Sequence, residues 1–268
     1  YKGIITSGYL KNKADFIIKH PLMKEDGEYK IHVRAVDRAS NIGEEKTLLL
    51  SIDKTAPRIG SFFMSKNGVD ISPDDNGDIL IYQNTVFNFN VSLENDTESA
   101  SLTIDNKNFE LKKDYKSQLW NTEISLNAGK SKRILMTVSD FSGNITKDKD
   151  IGSISASSRG KVYLKKDNTE VLNIGASITI QQLNKETNQY DDFNLIDTND
   201  SSIFTNQSGE YDLVLPAGNY RFIIKGDNIN TLKYTKELSR PSVVVQDFNV
   251  SPLSGFMQFI NKFLSIFK

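Results

Sequence analysis

The sequence has 268 residues, which is enough for two domains, or three small ones, at roughly 100 to 200 residues per domain. Its 38% hydrophobic and 25% charged residues are typical of soluble globular proteins and exclude collagen, a coiled coil and wholesale disorder. The 33 basic and 34 acidic residues give a net charge of -1, so no overall field favours nucleic acid, and we expect no nucleic-acid partner.

Residue types that carry chemistry are scarce in this chain. There is no cysteine, which removes disulfides, thiolate metal sites and cysteine nucleophiles together. The two histidines, His20 and His32, have no evident acidic or nucleophilic partner residues in the sequence, and a catalytic triad or a zinc site needs such partners. We therefore predict that the protein is not an enzyme.

An alternating strand followed by a polar turn occurs twice. The alternation around Ile31 is the period-2 pattern of a half-buried strand, and Asp37 and Asn41 follow it. The same pair returns as Asp140 and Asn144, 103 residues later, which is the size of one β-sandwich domain. Two like domains are therefore expected in tandem. The Asp and Asn side chains predict a structured loop, with a metal site as the less favoured alternative.

The segment 27–57 carries a family resemblance. It reads Gly-x-Tyr, then alternating apolar residues, then Ala-x-Asp and Asn, and it ends in Asp-Lys-Thr-Ala-Pro at 53–57. This resembles the last strands of bacterial immunoglobulin-like domains of surface and secreted proteins, which implies such domains over about 1–152. We expect 1–56 to be the C-terminal half of one domain, truncated at its N-terminus, and 57–152 to be a second domain. Pro57 disfavours helix before it, so an extended linker should begin there.

The second domain continues the alternation, with turn-rich breaks as expected of a sandwich. Phe87, Phe89 and Val91 predict an inner strand, and the polar residues 105–108 predict a hairpin turn. Trp120 enters a strand that has apolar residues at alternate positions, which predicts a core residue. A sugar-stacking platform is the alternative interpretation of Trp120.

The best metal candidate is the loop 71–78. Asp74, Asn76 and Asp78 offer oxygen ligands at alternating positions around a glycine turn, a spacing that can surround Ca²⁺. The loop resembles one that opens some bacterial immunoglobulin-like domains. It departs from an EF-hand, because Thr85 stands where that motif has its last carboxylate. A solvated acidic turn is the favoured interpretation, a weak Ca²⁺ site is the alternative, and no other cofactor is expected.

A different set of strands follows the small, polar residues 153–160, which predict a linker. The strand 160–164 and the motif Gly-x-Tyr-x-Leu-x-Leu-Pro-Ala-Gly-x-Tyr over 209–220 resemble the carboxypeptidase regulatory-like, transthyretin-type domain. The resemblance implies a prealbumin-like β-sandwich over 160–251. Related collagen-adhesin B-type domains join a Lys to an Asn. Lys161 or Lys165 and Asn249 match these two, but the acid that the reaction needs has no counterpart, so we expect no cross-link.

The C-terminal segment 252–268 has the pattern of an amphipathic helix. Apolar residues recur at steps of three and four, at Leu253, Phe256, Met257, Ile260, Phe263, Leu264 and Phe267. Such a helix is too short to cross a bilayer of roughly 30 Å by itself. It is predicted to lie in a membrane interface, to dock on protein, or to begin a longer anchor.

Two functions from different classes follow from this organisation. The favoured hypothesis is a non-catalytic stalk or spacer of a bacterial cell-surface or secreted multidomain protein, with neighbouring domains of the same protein as its partners. The alternative is an adhesin or carbohydrate-binding accessory module that recognises a glycan or protein ligand, with Ca²⁺ as a possible requirement. Trp120, Tyr115 and the loop at Asp74 are the candidates for that second role.

Overall fold

Strands make up nearly all regular structure in the computed structural model, which describes residues 21–166, 169–172 and 175–253. The predicted all-β class with tandem β-sandwiches is confirmed. The amphipathic helix predicted for 252–268 lies outside the described residues from position 254 onward. In the part of the chain that is described, no helix combines the length and apolar character needed to cross a membrane.

The first unit is a two-stranded antiparallel sheet that follows a turn of 3-10 helix at Pro21–Lys24. Its strands are β1 (Gly27–Val33) and β2 (Lys46–Ile52), which pair along their whole length. Leu48 and Leu49 in β2 are 51% and 77% exposed. Among the described residues, this sheet contributes no side chain to a buried hydrophobic cluster.

The second unit is a sandwich of two five-stranded sheets. Its strands are β3 (Ile59–Lys66), β4 (Val69–Ile71), β5 (Asp78–Tyr82), β6 (Phe87–Leu93), β7 (Thr97–Ile104), β8 (Lys107–Glu110), β9 (Lys112–Lys113), β10 (Trp120–Ile124), β11 (Gly129–Asp140) and β12 (Ile145–Ser157). One sheet has the order β4-β3-β6-β10-β9 and the other β5-β12-β11-β7-β8. Phe87, Phe89 and Val91 are at most 1% exposed, which confirms the predicted inner strand.

The third unit is built from shorter strands around a separate core. Its strands are β13 (Gly160–Lys166), β14 (Thr169–Leu172), β15 (Ser177–Asn184), β16 (Gln189–Asp192), β17 (Ser202–Phe204), β18 (Glu210–Tyr211), β19 (Val214–Leu215), β20 (Gly218–Lys225), β21 (Leu232–Leu238), β22 (Ser242–Val243) and β23 (Phe248–Val250). One sheet has the order β14-β13-β18 with β23 beside β13, and the other β16-β15-β20-β21 with β17 beside β15. β19 and β22 form a separate pair.

The predicted linker at 153–160 is the main correction to the sequence-based organisation. β12 continues to Ser157, and its last five residues pair in parallel with β5. Ile154 and Ala156 point inward, at 0% and 8% exposed. The small residues at 153–157 therefore belong to a strand that pairs with β5 and not to a linker. Two residues, Ser158 and Arg159, separate β12 from β13.

The hairpin between β7 and β8 is also tighter than predicted. Ile104 pairs with Lys107, so Asp105 and Asn106 are its two turn residues. Both have positive φ, at 52° and 60°, which is typical of the type I′ turn that matches strand twist.

Candidate functional site

The second and third units share a buried contact, because side chains of the third unit belong to the hydrophobic cluster of the second. We call it the second junction and define it by residues 157–160 and the side chains that meet there. Ser157 pairs with Tyr82 at the end of β5, so the chain leaves the second sandwich beside the last residue of that strand. Val214 and Val243, from β19 and β22 of the third unit, belong to the buried hydrophobic cluster of the second sandwich.

Tyr82 joins the two sandwiches through its hydroxyl group. Its side chain is 0% exposed, and its hydroxyl lies 2.9 Å from the carbonyl oxygen of Leu213 and 2.8 Å from that of Val244. The hydroxyl oxygen of Tyr82 also accepts a hydrogen bond from the Leu213 amide at 3.3 Å. Burial raises the pKa of Tyr82 well above its ordinary value, so the phenol stays protonated and remains a donor. A buried side chain of one sandwich is thus bonded to the backbone of the next.

Charged side chains of both sandwiches meet beside Tyr82. Arg159 Nη2 donates to Thr85 Oγ1 at 2.7 Å, and Arg159 Nε lies 3.7 Å from Asp212 Oδ2. Lys66 Nζ lies 3.8 Å from the same carboxylate oxygen. Burial raises the pKa of Asp212, although Lys66 and Arg159 act in the opposite direction. Polar contacts therefore accompany the apolar ones at the second junction.

The predicted metal ligands Asp74, Asn76 and Asp78 form a hydrogen-bonded loop. Asp74 Oδ1 accepts the backbone N–H groups of Asn76 and Asp78, each at 2.9 Å, and Asp74 Oδ2 lies 3.3 Å from Arg240 Nη2. These bonds, with that of Asp78 foremost, hold the pKa of Asp74 below its ordinary value. The carboxylate of Asp78 turns away from the loop and accepts the hydroxyl of Ser153 at 2.8 Å. The weak Ca²⁺ site stays the alternative interpretation of this loop.

The same five-residue loop occurs at four places in the described residues: 37–41, 74–78, 140–144 and 206–210. In each, an Asp or Asn side chain accepts the amide of the residue four positions later, and the fourth residue has positive φ. Glycine occupies that fourth position in three loops and Ser40 in the first. The predicted structured loop at Asp37 and Asp140 is therefore present, and Asp74 holds the equivalent position in its own turn.

The candidate ligand-binding aromatics are not together on one surface. Trp120 is 6% exposed and belongs to the core of the second sandwich, as its alternating partners predict. Tyr115 is 78% exposed in the loop before β10.

The residues considered for a Lys–Asn cross-link have other neighbours. Asn249 lies opposite Tyr163 in the pairing of β13 with β23, and Lys161 Nζ lies 3.7 Å from Glu210 Oε1.

A group of three acidic side chains lies at the start of the second sandwich. The sequence alone did not predict that these residues are neighbours. Asp53, Asp96 and Asp140 each place a carboxylate oxygen within 4.8 Å of the others. Asp53 comes from the chain that follows β2, Asp96 from the turn before β7, and Asp140 from the end of β11. In the sequence, Asp140 belongs to the repeated Asp and Asn pair, for which a metal site is the less favoured alternative to a structured loop, and Asp53 begins the motif at 53–57. Asp96 has no such signal.

No family model matches the chain, and no curated protein matches it in sequence. Solved structures with a similar arrangement include BcpA, the major pilin subunit of Bacillus cereus, at 10% identity over 85% of both chains and a TM-score of 0.23. Dimeric latent PorU from Porphyromonas gingivalis matches at 13% identity over 82% of this chain and 24% of that one, with a TM-score of 0.28. Gamma-CGTase from alkalophilic Bacillus clarkii matches at 13% identity over 82% of this chain and 32% of that one, with a TM-score of 0.23. At these scores the likenesses carry no argument about function.

Proposed function

We propose that this chain is a non-catalytic spacer of a bacterial cell-surface or secreted protein, in which consecutive β-sandwiches hold other domains of the same protein apart. The second junction carries the proposal. A spacer must resist bending between its units, and a fully buried tyrosine that bonds to the backbone of the next sandwich opposes such bending.

The short connection at the second junction supports the same function. With only Ser158 and Arg159 between β12 and β13, little backbone is free to act as a hinge. Val214 and Val243 remove further apolar surface from water at the contact, which favours one relative orientation over many. In this proposal the third unit has the carboxypeptidase regulatory-like type of sandwich and a structural role.

The burial of Trp120 favours the spacer over a carbohydrate-binding module. Stacking on a sugar requires an exposed aromatic face, and Trp120 is 6% exposed among side chains of the sandwich core. Tyr115 is exposed, but because Trp120 is buried the two candidates do not form an exposed aromatic strip.

The test is a distance distribution between spin labels on the two sandwiches. Because the chain has no cysteine, Glu98→Cys in β7 and Lys233→Cys in β21 introduce two labels at exposed positions without a background signal. The spacer proposal predicts one narrow distance peak by pulsed electron spin resonance. A broad or multi-peaked distribution in the otherwise unchanged chain would contradict it.

Two conservative variants assign the rigidity to the junction. Tyr82→Phe removes the hydroxyl that crosses between the sandwiches and is expected to broaden the peak. Tyr220→Phe is the matched control, because Tyr220 is also 0% exposed but its hydroxyl bonds to Pro216 within the third sandwich. Equal distributions in the two variants would show that the Tyr82 hydroxyl does not hold the junction.

A further inference from the structure

The three acidic side chains Asp53, Asp96 and Asp140 have the spacing of ligands to one metal ion. Ca²⁺ binds oxygen at 2.3–2.6 Å, so two oxygens on the same ion are at most roughly 5 Å apart. The three carboxylates each offer an oxygen within 4.8 Å of the others, which satisfies that limit. They range from fully buried Asp140, at 0% exposed, to exposed Asp96, so the group reaches from the sandwich interior to solvent.

The residue next to Asp96 in the chain, Thr97, carries a buried hydroxyl group without a hydrogen-bond partner. Thr97 Oγ1 is buried without a hydrogen-bond partner, and the residue is 3% exposed. Thr97 follows Asp96 in the chain and stands opposite Asp140 in the ladder of β7 with β11, so the Thr97 and Asp140 side chains leave the sheet on the same face. A buried hydroxyl is normally bonded, and a metal ion that accepts its lone pair would meet that need.

The described hydrogen-bond donors to these carboxylates are neutral amide groups. Within the described ranges, no lysine or arginine forms an ion pair with Asp53, Asp96 or Asp140. Ionised carboxylates at this separation repel one another, and the repulsion is stronger where water is excluded. A divalent cation would turn the repulsion into attraction.

Hydrogen bonds from neighbouring amides position two of the three carboxylates, those of Asp53 and Asp140. The Asn144 side-chain amide donates to Asp140 Oδ2 at 3.0 Å and to the carbonyl oxygen of Asp53 at 3.1 Å. The amides of Ser142 and Asn144 bond to Asp140 Oδ1 at 2.9 and 2.8 Å, and Asp53 Oδ1 accepts the Thr55 amide at 3.0 Å. Each of the two side chains keeps free oxygen lone pairs for a ligand.

We propose that Asp53, Asp96, Asp140 and Thr97 bind one Ca²⁺ ion where the first sheet meets the second sandwich. The donors are all oxygen, which suits a hard cation and not zinc, which prefers nitrogen and sulfur. Their irregular arrangement suits Ca²⁺, which accepts six to eight oxygens in flexible geometry, better than Mg²⁺, which requires a near-ideal octahedron. Water supplies the remaining ligands. The ion ties the segment after β2 to two loops of the sandwich, and this assignment does not depend on the spacer function.

The test is calcium binding by the full 268-residue chain after metal removal on a chelating resin. Titration with CaCl2 in a calorimeter should reveal one site with a Kd of about 10⁻⁴ to 10⁻³ M, the range of extracellular calcium modules. Saturation should raise the Tm by a few °C, on the order expected for a ligand at several times its Kd. MgCl2 should give a much weaker effect at equal concentration.

Two aspartate variants locate the ion. Asp96→Asn removes one carboxylate that is exposed and makes no side-chain hydrogen bond, so the fold should be retained and calcium affinity should fall about tenfold or more. Asp75→Asn is the matched control, because it makes the same charge change at an exposed position of the loop 74–78 and should leave affinity unchanged.

Three results would overturn the assignment. One is the absence of calcium-dependent heat and Tm shift in the unchanged chain at about 10 mM CaCl2, well above the expected Kd. Another is equal affinity in the unchanged chain and Asp96→Asn. The third is loss of binding in Asp75→Asn alone, which would move the ion to the loop at Asp74. The spacer proposal is judged separately, by the spin-label distances across the second junction.

Discussion

The two connections between units differ in their chemistry. At the second junction, Tyr82 and the apolar side chains Val214 and Val243 are buried between sandwiches. At the first junction, which comprises residues 53–58 and the side chains that contact them, the bonds are polar: Thr146 Oγ1 donates to the Pro57 carbonyl at 2.6 Å, and the Arg58 amide donates to Glu94 at 2.9 Å. Buried contacts between the two units stabilise the second junction. The first junction brings three carboxylates together, and we expect it to respond to calcium as well as to pH.

The largest expected effect comes from removing the buried tyrosine of the second junction. Tyr82→Ala should lower the free energy of unfolding by about 3–5 kcal/mol, because it deletes a large buried ring and leaves a cavity. Tyr82→Phe keeps the ring and should cost about 1–2 kcal/mol, through the lost hydroxyl contact and the carbonyl groups left behind. Urea titration followed by circular dichroism measures both. A cost below about 1 kcal/mol for Tyr82→Ala would show that this contact is not part of the cooperative structure.

Acid should affect the two junctions in opposite directions. Burial opposes ionisation of Asp140, but the bonds from Asn144, Ser142 and Gly143 outweigh it and hold its pKa below the ordinary value of 3.8. Asp140 therefore stabilises the fold above that value, and the contribution is lost as the pH falls through its folded-state pKa. The pKa of Asp212 is raised by burial, so its ionised form costs stability at neutral pH, and that cost disappears as the pH falls toward 3.8.

Carboxyl-carbon NMR titration of the metal-free chain measures this contrast directly. Asp212 should titrate above 3.8 and Asp140 below it. The reverse order would mean that the two environments have been assigned wrongly. Addition of Ca²⁺ should lower the Asp140 value further, because a bound cation favours the ionised carboxylate.

The smallest expected effects come from one variant, which should raise the stability of the metal-free protein and reduce its stabilisation by calcium. Thr97→Val replaces a buried hydroxyl that lacks a partner with a methyl group of similar shape. The metal-free protein should become more stable, by about 0.5–1 kcal/mol, since no hydrogen bond is lost and a desolvation cost is removed. The calcium-induced rise in Tm should become smaller at the same time. Thermal scans with and without CaCl2 measure both changes, and an undiminished calcium effect would remove Thr97 from the ligand set.

The sequence predicted the features that depend on neighbouring residues. Alternation at Phe87, Phe89 and Val91 defines one face of a strand wherever the partner strands lie, and the burial of these residues confirms it. The Asp140 to Asn144 loop closes through bonds within five residues, so its pattern is visible in the sequence. The all-β class follows from many such local signals.

Features set by distant residues could not be predicted in the same way. The small residues of β12 resemble a linker because the strand that pairs with them, β5, lies far earlier in the chain. Tyr82 is 131 residues from Leu213, and no local pattern links a tyrosine to a particular carbonyl group. Asp96 carries no motif at all, and it meets Asp53 and Asp140 only because three chain segments reach the same end of the sandwich.

The path by which the chain leaves the second sandwich has a mechanical consequence. β12 lies between β5 and β11 and is hydrogen-bonded on both sides. When tension pulls Ser157 along the axis of β12, the ladder bonds run across the direction of the pull. The tension is then shared by many hydrogen bonds that are loaded together in shear, and the bonds are not opened one at a time. A tether between domains requires this loading geometry.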